Sequence, residues 1–326
     1  METAYLIETI IKIVVIMLVF SALAGFGTYF ERKVLAFMQR RLGPMNVGPY
    51  GLLQIAADGI KLFTKEDIIP TNVVGRIFKI APVITAATAF MAAAAIPFLP
   101  SFDVFGYEVR PIVSDINIGI LYILGVMGIG LYGPLLGGMA SANKFSLIAA
   151  ARGAAVFISY EVVTGLSILA PIMMVGSLSL IDFNNYQAEN GWIIWSQPVA
   201  FVLFWIAAFA ETGRTPFHLV ANDHEIIDGF GTEYSGMRWG LFFIGEYANM
   251  FFISFVIPLL FLGGFGDGSL FGALALLGKM AFFFFFFLWT RAAWPDIRPD
   301  QLMWLCWKVL MPIAVINIVI TGLVMM

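Results

Sequence analysis

Acidic side chains and an arginine that could exchange protons are concentrated in the stretch AETGRTPFHLVANDHEIIDGFGTEY, residues 210–234, between two long apolar runs. Apolar residues alternate with charged ones in this stretch, a pattern typical of a loop folded back against other helices. Acids partly removed from water beside Arg214 would have coupled pKa values, which a proton relay requires. The simpler interpretation is a solvated loop, which explains the charges but not the interleaved apolar residues.

Further ionisable residues lie within or at the ends of apolar runs, where they are costly in a membrane and commonly mark ion or substrate paths. Glu161 lies in VFISYEVVTGLSILAP, and its carboxyl is expected to be buried, either neutral or facing a polar cavity. For Glu31, an interfacial ion pair with Arg32 and Lys33 fits the sequence as well as a functional role does. Three other acids have comparable positions, namely Asp58, Glu211 and Glu246. Such carboxylates fit an ion channel, a secondary transporter or an energy-converting subunit.

Residues that commonly hold cofactors are scarce in this chain. The single cysteine, Cys306, excludes an internal disulfide and a cysteine-ligated iron–sulfur cluster. The only histidines, His218 and His224, fall in one short loop. The glycine-rich GVMGIG at 125–130 lies in an apolar run rather than between a strand and a helix. We therefore expect no redox centre, no metal site and no nucleic-acid partner for this chain.

The elements that must position these groups are membrane helices. Hydrophobic residues make up 60% of the chain and charged residues 12%, against about 25% charged in an average soluble domain. We predict an all-α polytopic membrane protein, one transmembrane helical domain over residues 1–326, with the first helix retained rather than cleaved as a signal peptide. The eight predicted transmembrane helices lie near residues 7–29, 80–99, 117–139, 154–178, 195–212, 239–262, 269–290 and 303–325.

The distribution of basic residues predicts the orientation of these helices. Of the 18 Lys and Arg residues, all but Lys12, Arg110 and Lys279 lie in or beside the connections that follow helices 1, 3, 5 and 7. The positive-inside rule therefore places the loops at about 31–79 and about 213–238 in the cytoplasm, and both termini on the other side.

Three connections have patterns of their own. The sequence VGPYGLLQIAADGIKLFTKEDIIP in the first cytoplasmic loop predicts an amphipathic helix lying at the membrane interface. An alternating pattern at 100–116 is compatible with a short hairpin. The polar residues 181–192 favour a turn-rich loop that serves as a packing or surface element.

Several longer motifs resemble one family over nearly the whole chain. They are GTYFERKVLAFMQRRLGPMNVGPYGLLQIAADGIKLFTKE (27–66), AAARGAAVFISYE (149–161), AETGRTPFHL (210–219), GFGTEYSGMRWGLFFIGEYANM (229–250) and RAAWPDIRPDQLMWLCWKVLMP (291–312). In this order they resemble the H-subunit family of NADH:quinone oxidoreductase, the respiratory complex I.

This resemblance implies an eight-helix subunit at the heel of the membrane arm, in the bacterial cytoplasmic (inner) membrane. Such a subunit would form most of a tunnel and chamber for a membrane quinone such as ubiquinone, together with the first part of a carboxylate path for proton translocation. Quinone would be its substrate. The flavin and iron–sulfur clusters would belong to partner subunits, and its neighbours would be the peripheral-arm subunits of the quinone site and small membrane subunits.

Individual residues match the family motifs. The glutamate–arginine–lysine motif falls on Glu31, Arg32 and Lys33, and the acid and lysine of the amphipathic helix fall on Asp58 and Lys61. By this resemblance the quinone cavity would include Arg32, Arg152, Arg214 and Phe217. The proton path would include Glu31, Asp58, Glu161, Glu211, Glu225 and Glu246, and Glu233 matches a further family acid.

Departures from the family pattern fall in the acidic loop. His218, Val220 and Ala221 stand where the family usually has aspartate, proline and glutamate, Asp223 replaces a usual glutamate, and Gly213 stands where asparagine is common. His218 either retains proton exchange, because imidazole titrates near neutral pH, or is a polar substitute on a loop.

Two other functions remain open at this point. A membrane subunit of a membrane-bound hydrogenase or formate-hydrogen lyase would resemble this family in fold but admit no quinone; the complete QRRLGP and RPDQLM segments favour the quinone type. An independent secondary transporter would be expected to have inverted repeats and interrupted helices, which the sequence does not display.

Overall fold

The structure, a computed structural model, describes residues 2–104, 107–109, 111–218, 228–266 and 268–325, with the backbone alone at 2–7, 102–104 and 107–109. Five residues of the acidic loop for which the sequence carried an interpretation lie outside the described residues: Val220, Ala221, Asp223, His224 and Glu225.

Helices account for most of the described chain. In order they are α1 (Glu2–Met38), α2 (Gln54–Thr64), α3 (Gly75–Ala92), α4 (Gly119–Ala140), α5 (Lys144–Val175), α6 (Leu180–Asn190), α7 (Ile193–Ser196), α8 (Pro198–Glu211), α9 (Gly236–Phe261), α10 (Leu270–Ala293), α11 (Pro299–Leu305) and α12 (Met311–Met325). A π turn, Cys306–Leu310, joins α11 to α12. Strands β1 (Phe102–Val104) and β2 (Tyr107–Val109) pair antiparallel with Phe102 opposite Val109, as the alternating pattern there favoured.

Seven helical segments in the described chain are long and apolar enough to cross a membrane. They correspond to seven of the eight predicted transmembrane helices, so the chain is a multi-pass membrane protein. The remaining prediction, 195–212, corresponds to α8, which is apolar but has only 14 residues. At 1.5 Å per residue α8 is about 21 Å long, less than the roughly 30 Å of a hydrocarbon core.

Two helices extend well beyond the apolar runs that predicted them. Helix α1 has 37 residues and α5 has 32, so they are about 55 Å and about 48 Å long. Hydropathy predicts only the apolar part of a helix that lies in the lipid. Helix α1 continues beyond its apolar run through ERKVLAFM, which is rich in residues of high helix propensity. The extensions carry Glu31 and Arg152 at the same end of the bundle.

The first loop and the end of the acidic loop are in direct contact. Arg238 forms an ion pair of 2.9 Å with Asp67, and the Tyr234 hydroxyl donates to the carbonyl oxygen of Phe78 at 3.0 Å. The rings of Tyr234 and Phe78 stack with centroids 4.0 Å apart. The two loops therefore lie at the same end of the bundle.

At the other end of the bundle, residues 180–190 form helix α6 where the sequence favoured a turn-rich loop. The Ser179 hydroxyl caps the helix by accepting from the Ile181 N–H at 3.3 Å. Gln187 is buried, donates to the carbonyl oxygen of Leu259 at 2.8 Å and accepts from the Gly263 N–H at 2.8 Å. Helix α6 thus supplies the partners that the C-terminal end of α9 lacks. That prediction was wrong because the polar composition concealed a buried helical face.

Helix α9 lies at the centre of the fold. Every residue from 250 to 261 is buried, and these side chains belong to a core shared with α1, α3, α4, α5, α8 and α10. The functional site forms where α9, at Glu246 and Tyr247, meets α1, α10 and the segment after α8.

Candidate functional site

Four charged side chains form a continuous cluster at the loop end of the bundle, which we call the Glu31 cluster: Glu31, Arg214, Glu246 and Arg291. Glu31 is 5% exposed and accepts hydrogen bonds on both carboxylate oxygens. Oε2 accepts from Arg214 Nη1 at 2.9 Å and from the Tyr247 hydroxyl at 2.6 Å, and Oε1 accepts from Arg291. Of the two interpretations that the sequence left open for Glu31, the interfacial pair with Arg32 and Lys33 is not formed, because Glu31 pairs with Arg214 and Arg291 inside the bundle.

Arg214 is the centre of the Glu31 cluster. It is 2% exposed, and its guanidinium lies 4.7 Å from the Tyr247 ring centroid. Its Nε lies 3.0 Å from Glu246 Oε1 as an ion pair, without the alignment of a hydrogen bond. Burial works against the charge of Arg214, but Glu246 and Glu31 outweigh burial and raise the pKa of this guanidinium above its ordinary value. Nη2 is buried and makes no hydrogen bond to any described residue, so its two N–H groups remain for a further partner.

A tight turn after α8 directs Arg214 into the bundle. Gly213 has φ +62°, in the left-handed region that glycine adopts without a steric penalty. The Arg214 N–H then donates to the carbonyl oxygen of Phe209 at 3.2 Å, and the Phe217 N–H donates to the carbonyl oxygen of Arg214 at 2.8 Å. Phe217 is 5% exposed, with its ring 5.3 Å from that of Tyr160. The first residues of the acidic loop are therefore packed as core, whereas His218, which follows, is half-buried.

Glu211 of α8 and Glu161 of α5 form a second acidic group where these two helices pack together. Glu211, the last residue of α8, lines a small apolar cavity together with Leu124 and Met127 of α4. Glu161 is close enough to repel the charge of Glu211. The prediction that Glu161 is buried was wrong for the isolated chain: residue 161 is exposed, as is its neighbour Val162.

The other predicted site residues lie nearer the surface. Arg32 pairs with Asp58 at 2.7 Å, which joins α1 to α2, and both side chains are partly exposed. Gln54 also donates to Asp58 at 2.9 Å. Arg152 is half-buried in the second turn of α5, and Glu233 accepts from Asn143 at 2.8 Å. The contacts described for Arg32, Asp58 and Glu233 are all with residues outside the Glu31 cluster.

A groove of about 480 Å³ opens on the outer surface between α1 and α10. It is lined by Lys33, Val34, Phe37, Met38, Phe285 and Trp289. Val34 follows Glu31 by three residues on the same face of α1, so the groove reaches the level of the Glu31 cluster along this helix. Its walls are almost entirely apolar.

Comparison with known proteins identifies the family. A family model described as NADH dehydrogenase matches residues 11–322. A protein of Sulfurimonas denitrificans, named as the H subunit of NADH-quinone oxidoreductase, is 89% identical over the full length of both chains. Proteins of the same name from a Nitratiruptor species and from Wolinella succinogenes are 69% and 65% identical, over at least 99% of either chain in each case. The chain belongs to the H-subunit family of NADH-quinone oxidoreductase.

As a member of the H-subunit family, the chain is a membrane component of a multi-subunit oxidoreductase, complex I. The assignment made from the motifs is confirmed, and these relatives give no support to the hydrogenase alternative. Among the described residues, no three His, Cys, Asp or Glu side chains are grouped so that they could hold a metal ion.

The structure brings together residues that the motifs had divided into two sets. Arg214, assigned to a quinone cavity, contacts Glu31 and Glu246, assigned to a proton path. Two members of the site were missed, Arg291 and Tyr247. Arg291 is the first residue of the family motif RAAWPDIRPDQLM. Tyr247 directly follows Glu246, so its position next to an assigned acid was the signal that could have identified it.

Proposed function

We propose that this chain admits a membrane quinone and holds its head group beside the Glu31 cluster, so that quinone reduction drives proton uptake by the carboxylates of the chain. The observation that supports this most is Arg214, a buried cation held by two acids, with the two N–H groups of Nη2 left without a hydrogen bond in the described chain. A rigid, permanently charged guanidinium suits a quinone carbonyl oxygen, which gains negative charge as electrons arrive.

The groove between α1 and α10 suits the isoprenoid tail of such a quinone. Phe37, Phe285 and Trp289 give it apolar and aromatic walls, and its size is that of an ordinary ligand pocket. Because the groove reaches the level of Glu31 on α1, it would guide a head group from the lipid toward Arg214. Arg32, Arg152 and Phe217 complete the proposed quinone residues.

Coupling would follow from the charge balance of the Glu31 cluster. With both acids ionised, the charges of Glu31 and Glu246 cancel those of Arg214 and Arg291. Conversion of a quinone to a quinol takes two electrons and two protons, and the charge developing on the head group would draw Arg214 toward it. The two acids would then be short of a cation, their proton affinity would rise, and they would take up protons.

Protons taken up in this way would pass to Glu211 and Glu161, with Asp58 and Glu225 supplying the path from the loop side. The proximity of Glu211 and Glu161 supports this order, because neighbouring acids that repel each other readily hold one proton between them. Exposure of Glu161 in the isolated chain suits transfer to an adjoining membrane subunit.

The remaining parts of the proposal concern the surroundings of the chain. We place it in the bacterial inner membrane with α8 as an eighth transmembrane helix, the two touching loops in the cytoplasm and both termini outside. Exposed Leu53, Ile60 and Phe63 suit α2 to an interfacial position as an amphipathic helix. The flavin and iron–sulfur clusters would be held by peripheral-arm subunits docked over the cytoplasmic loops.

The groove offers a test of quinone binding in the intact complex. Trp289→Ala should raise KM several-fold for a long-tailed quinone but little for a short-tailed analogue, because only the long tail needs the groove. Trp195→Ala is the matched control, since Trp195 is 82% exposed at the opposite end of the bundle. A quinone with a photoreactive tail should label the groove in competition with unlabelled quinone. Equal KM values for both variants, and labelling confined to other subunits, would count against the proposal.

A further inference from the structure

Glu161 reaches across from α5 to lie against the backbone of α4 at Gly128. A Cβ built at position 128 would lie 2.3 Å from Glu161 Oε1 and 3.1 Å from its Cδ. Atoms do not approach that closely, so the carboxyl occupies its place only because residue 128 has no side chain. Gly128 is buried, and the side chain of Glu161 helps to cover it.

This contact fixes Glu161 at the level of Glu211. Met127, the neighbour of Gly128, and Leu124, one turn away, line a small apolar cavity that the side chain of Glu211 also lines. The Glu161 carboxyl and the Glu211 side chain therefore approach α4 within about one helical turn of each other, close enough for the two acids to interact electrostatically. Without the contact at Gly128, the Glu161 side chain would be free to turn outward along the exposed face of α5.

A methyl group at position 128 would clash with the flexible side chain of Glu161 and not with the backbone. The three nearest heavy atoms to the built Cβ all belong to the Glu161 carboxyl group. Alanine at 128 would also favour the helix, because glycine costs about 1 kcal/mol relative to alanine in a helix interior. The helix is thus expected to tolerate Gly128→Ala, with Glu161 displaced instead.

We infer that Gly128 is a positioning residue, which holds the Glu161 carboxyl against α4 within reach of Glu211. The inference rests on the proposed role of these two acids in proton transfer. Gly128, in the middle of a transmembrane helix, would contribute to the relay because its missing side chain leaves room for the Glu161 carboxyl.

The test compares Gly128→Ala with Gly125→Ala in the assembled complex reconstituted into vesicles. Gly125 lies one turn away on α4, and a Cβ there would meet nothing within 4 Å. Gly128→Ala should lower proton translocation by roughly tenfold, since misplacement of a reacting group by about 1 Å can cost up to about 100-fold. Gly125→Ala should match the wild type. Identical proton translocation in the two variants would overturn the inference.

A size-compensating pair separates positioning from a general packing defect. Glu161→Asp withdraws the carboxyl by one methylene, so Gly128→Ala should have little further effect in that background, and the double variant should pump more than Gly128→Ala alone. This comparison also applies if Gly128→Ala by itself assembles poorly. Additive losses in the double variant would contradict the inference. Wild-type proton translocation by Glu161→Gln would instead refute the proposed relay. If Glu161→Gln lost proton translocation while Gly128→Ala retained it, only the role of Gly128 would be refuted.

Discussion

Arg214 is the least exposed charged residue in the described chain. Its side chain is 2% exposed and pairs with Glu31 and Glu246, whereas Arg291, on the other oxygen of Glu31, is 34% exposed. Breaking a buried ion pair by removing one partner commonly costs about 3–5 kcal/mol, while exposed pairs contribute about 0–1 kcal/mol. The two arginines should therefore differ in their contributions to stability although both contact the same acid.

The first prediction is a ranking of three arginine variants. Arg214→Ala should strongly reduce the amount of assembled complex or its thermal stability, because Glu31 and Glu246 lose their shared cation. Arg291→Ala should have a smaller effect, since water can replace part of the interaction. Arg298→Ala is the control, as its pair with Asp300 is about two-thirds exposed on both sides. Equal losses for Arg214→Ala and Arg298→Ala, measured by native electrophoresis and thermal inactivation, would contradict the described burial.

How far the sequence could predict this site depends on the kind of contact. The motifs identified Glu31, Arg214 and Glu246, but Glu31 and Arg214 are 183 residues apart, and only tertiary packing decides which acid meets which cation. The exposure of Glu161 could not be predicted from its neighbours. In a membrane, lipid-facing and interior positions are both apolar, so hydropathy does not distinguish the two sides of α5.

At the scale of elements, the contact between the two loops depends on a buried tyrosine. Burial raises the pKa of Tyr234, although Arg238 opposes this, so its hydroxyl remains protonated and donates to Phe78. The folded state favours the neutral phenol. The stabilisation is therefore complete below the ordinary pKa of tyrosine, about 10, and is lost as pH rises through the higher folded value.

Tyr234→Phe should loosen the contact between the loops without removing the ring stack. The lost hydrogen bond leaves a buried carbonyl oxygen unsatisfied, at a cost of about 1–3 kcal/mol. Hydrogen exchange in residues 66–78 and 228–238 should become faster in the variant, and the difference from wild type should be constant between pH 6 and 9. The control is Tyr132→Phe, because Tyr132 is exposed on α4. Unchanged exchange in the Tyr234 variant would show that the ring stack alone holds the loops together.

Elements were predictable where a single physical constraint dominates the sequence. Long apolar runs predicted seven of the membrane-crossing helices, because backbone groups in lipid must be satisfied within the segment. Helix α6 was missed because its composition is polar. Its buried residues Leu180, Phe183, Asn184 and Gln187 nevertheless follow the i, i+3, i+4, i+7 spacing of a helical face, and this was the signal that could have found it.

At the scale of the whole molecule, the asymmetry of basic residues and the contact between the loops lead to one orientation. In a Cys306→Ser background, Asn72→Cys should react with a membrane-impermeant reagent only from the cytoplasmic side, in inverted vesicles. Asn185→Cys on α6 should react only from the outside, in intact cells. Both positions are exposed, whereas Cys306 is buried. Labelling of residue 72 in intact cells would overturn the proposed topology.

The central claim is that carboxylates of this chain carry protons in response to quinone reduction, and Glu161 tests it most directly. Glu161→Gln preserves shape but cannot release a proton, so the reconstituted complex should assemble and pass electrons to an artificial acceptor, while proton translocation and the quinone reduction coupled to it fall together. Glu189→Gln, an exposed acid on α6, should behave as the wild type. A Glu161→Gln complex that assembles, reduces quinone and translocates protons at the wild-type rate would contradict the claim.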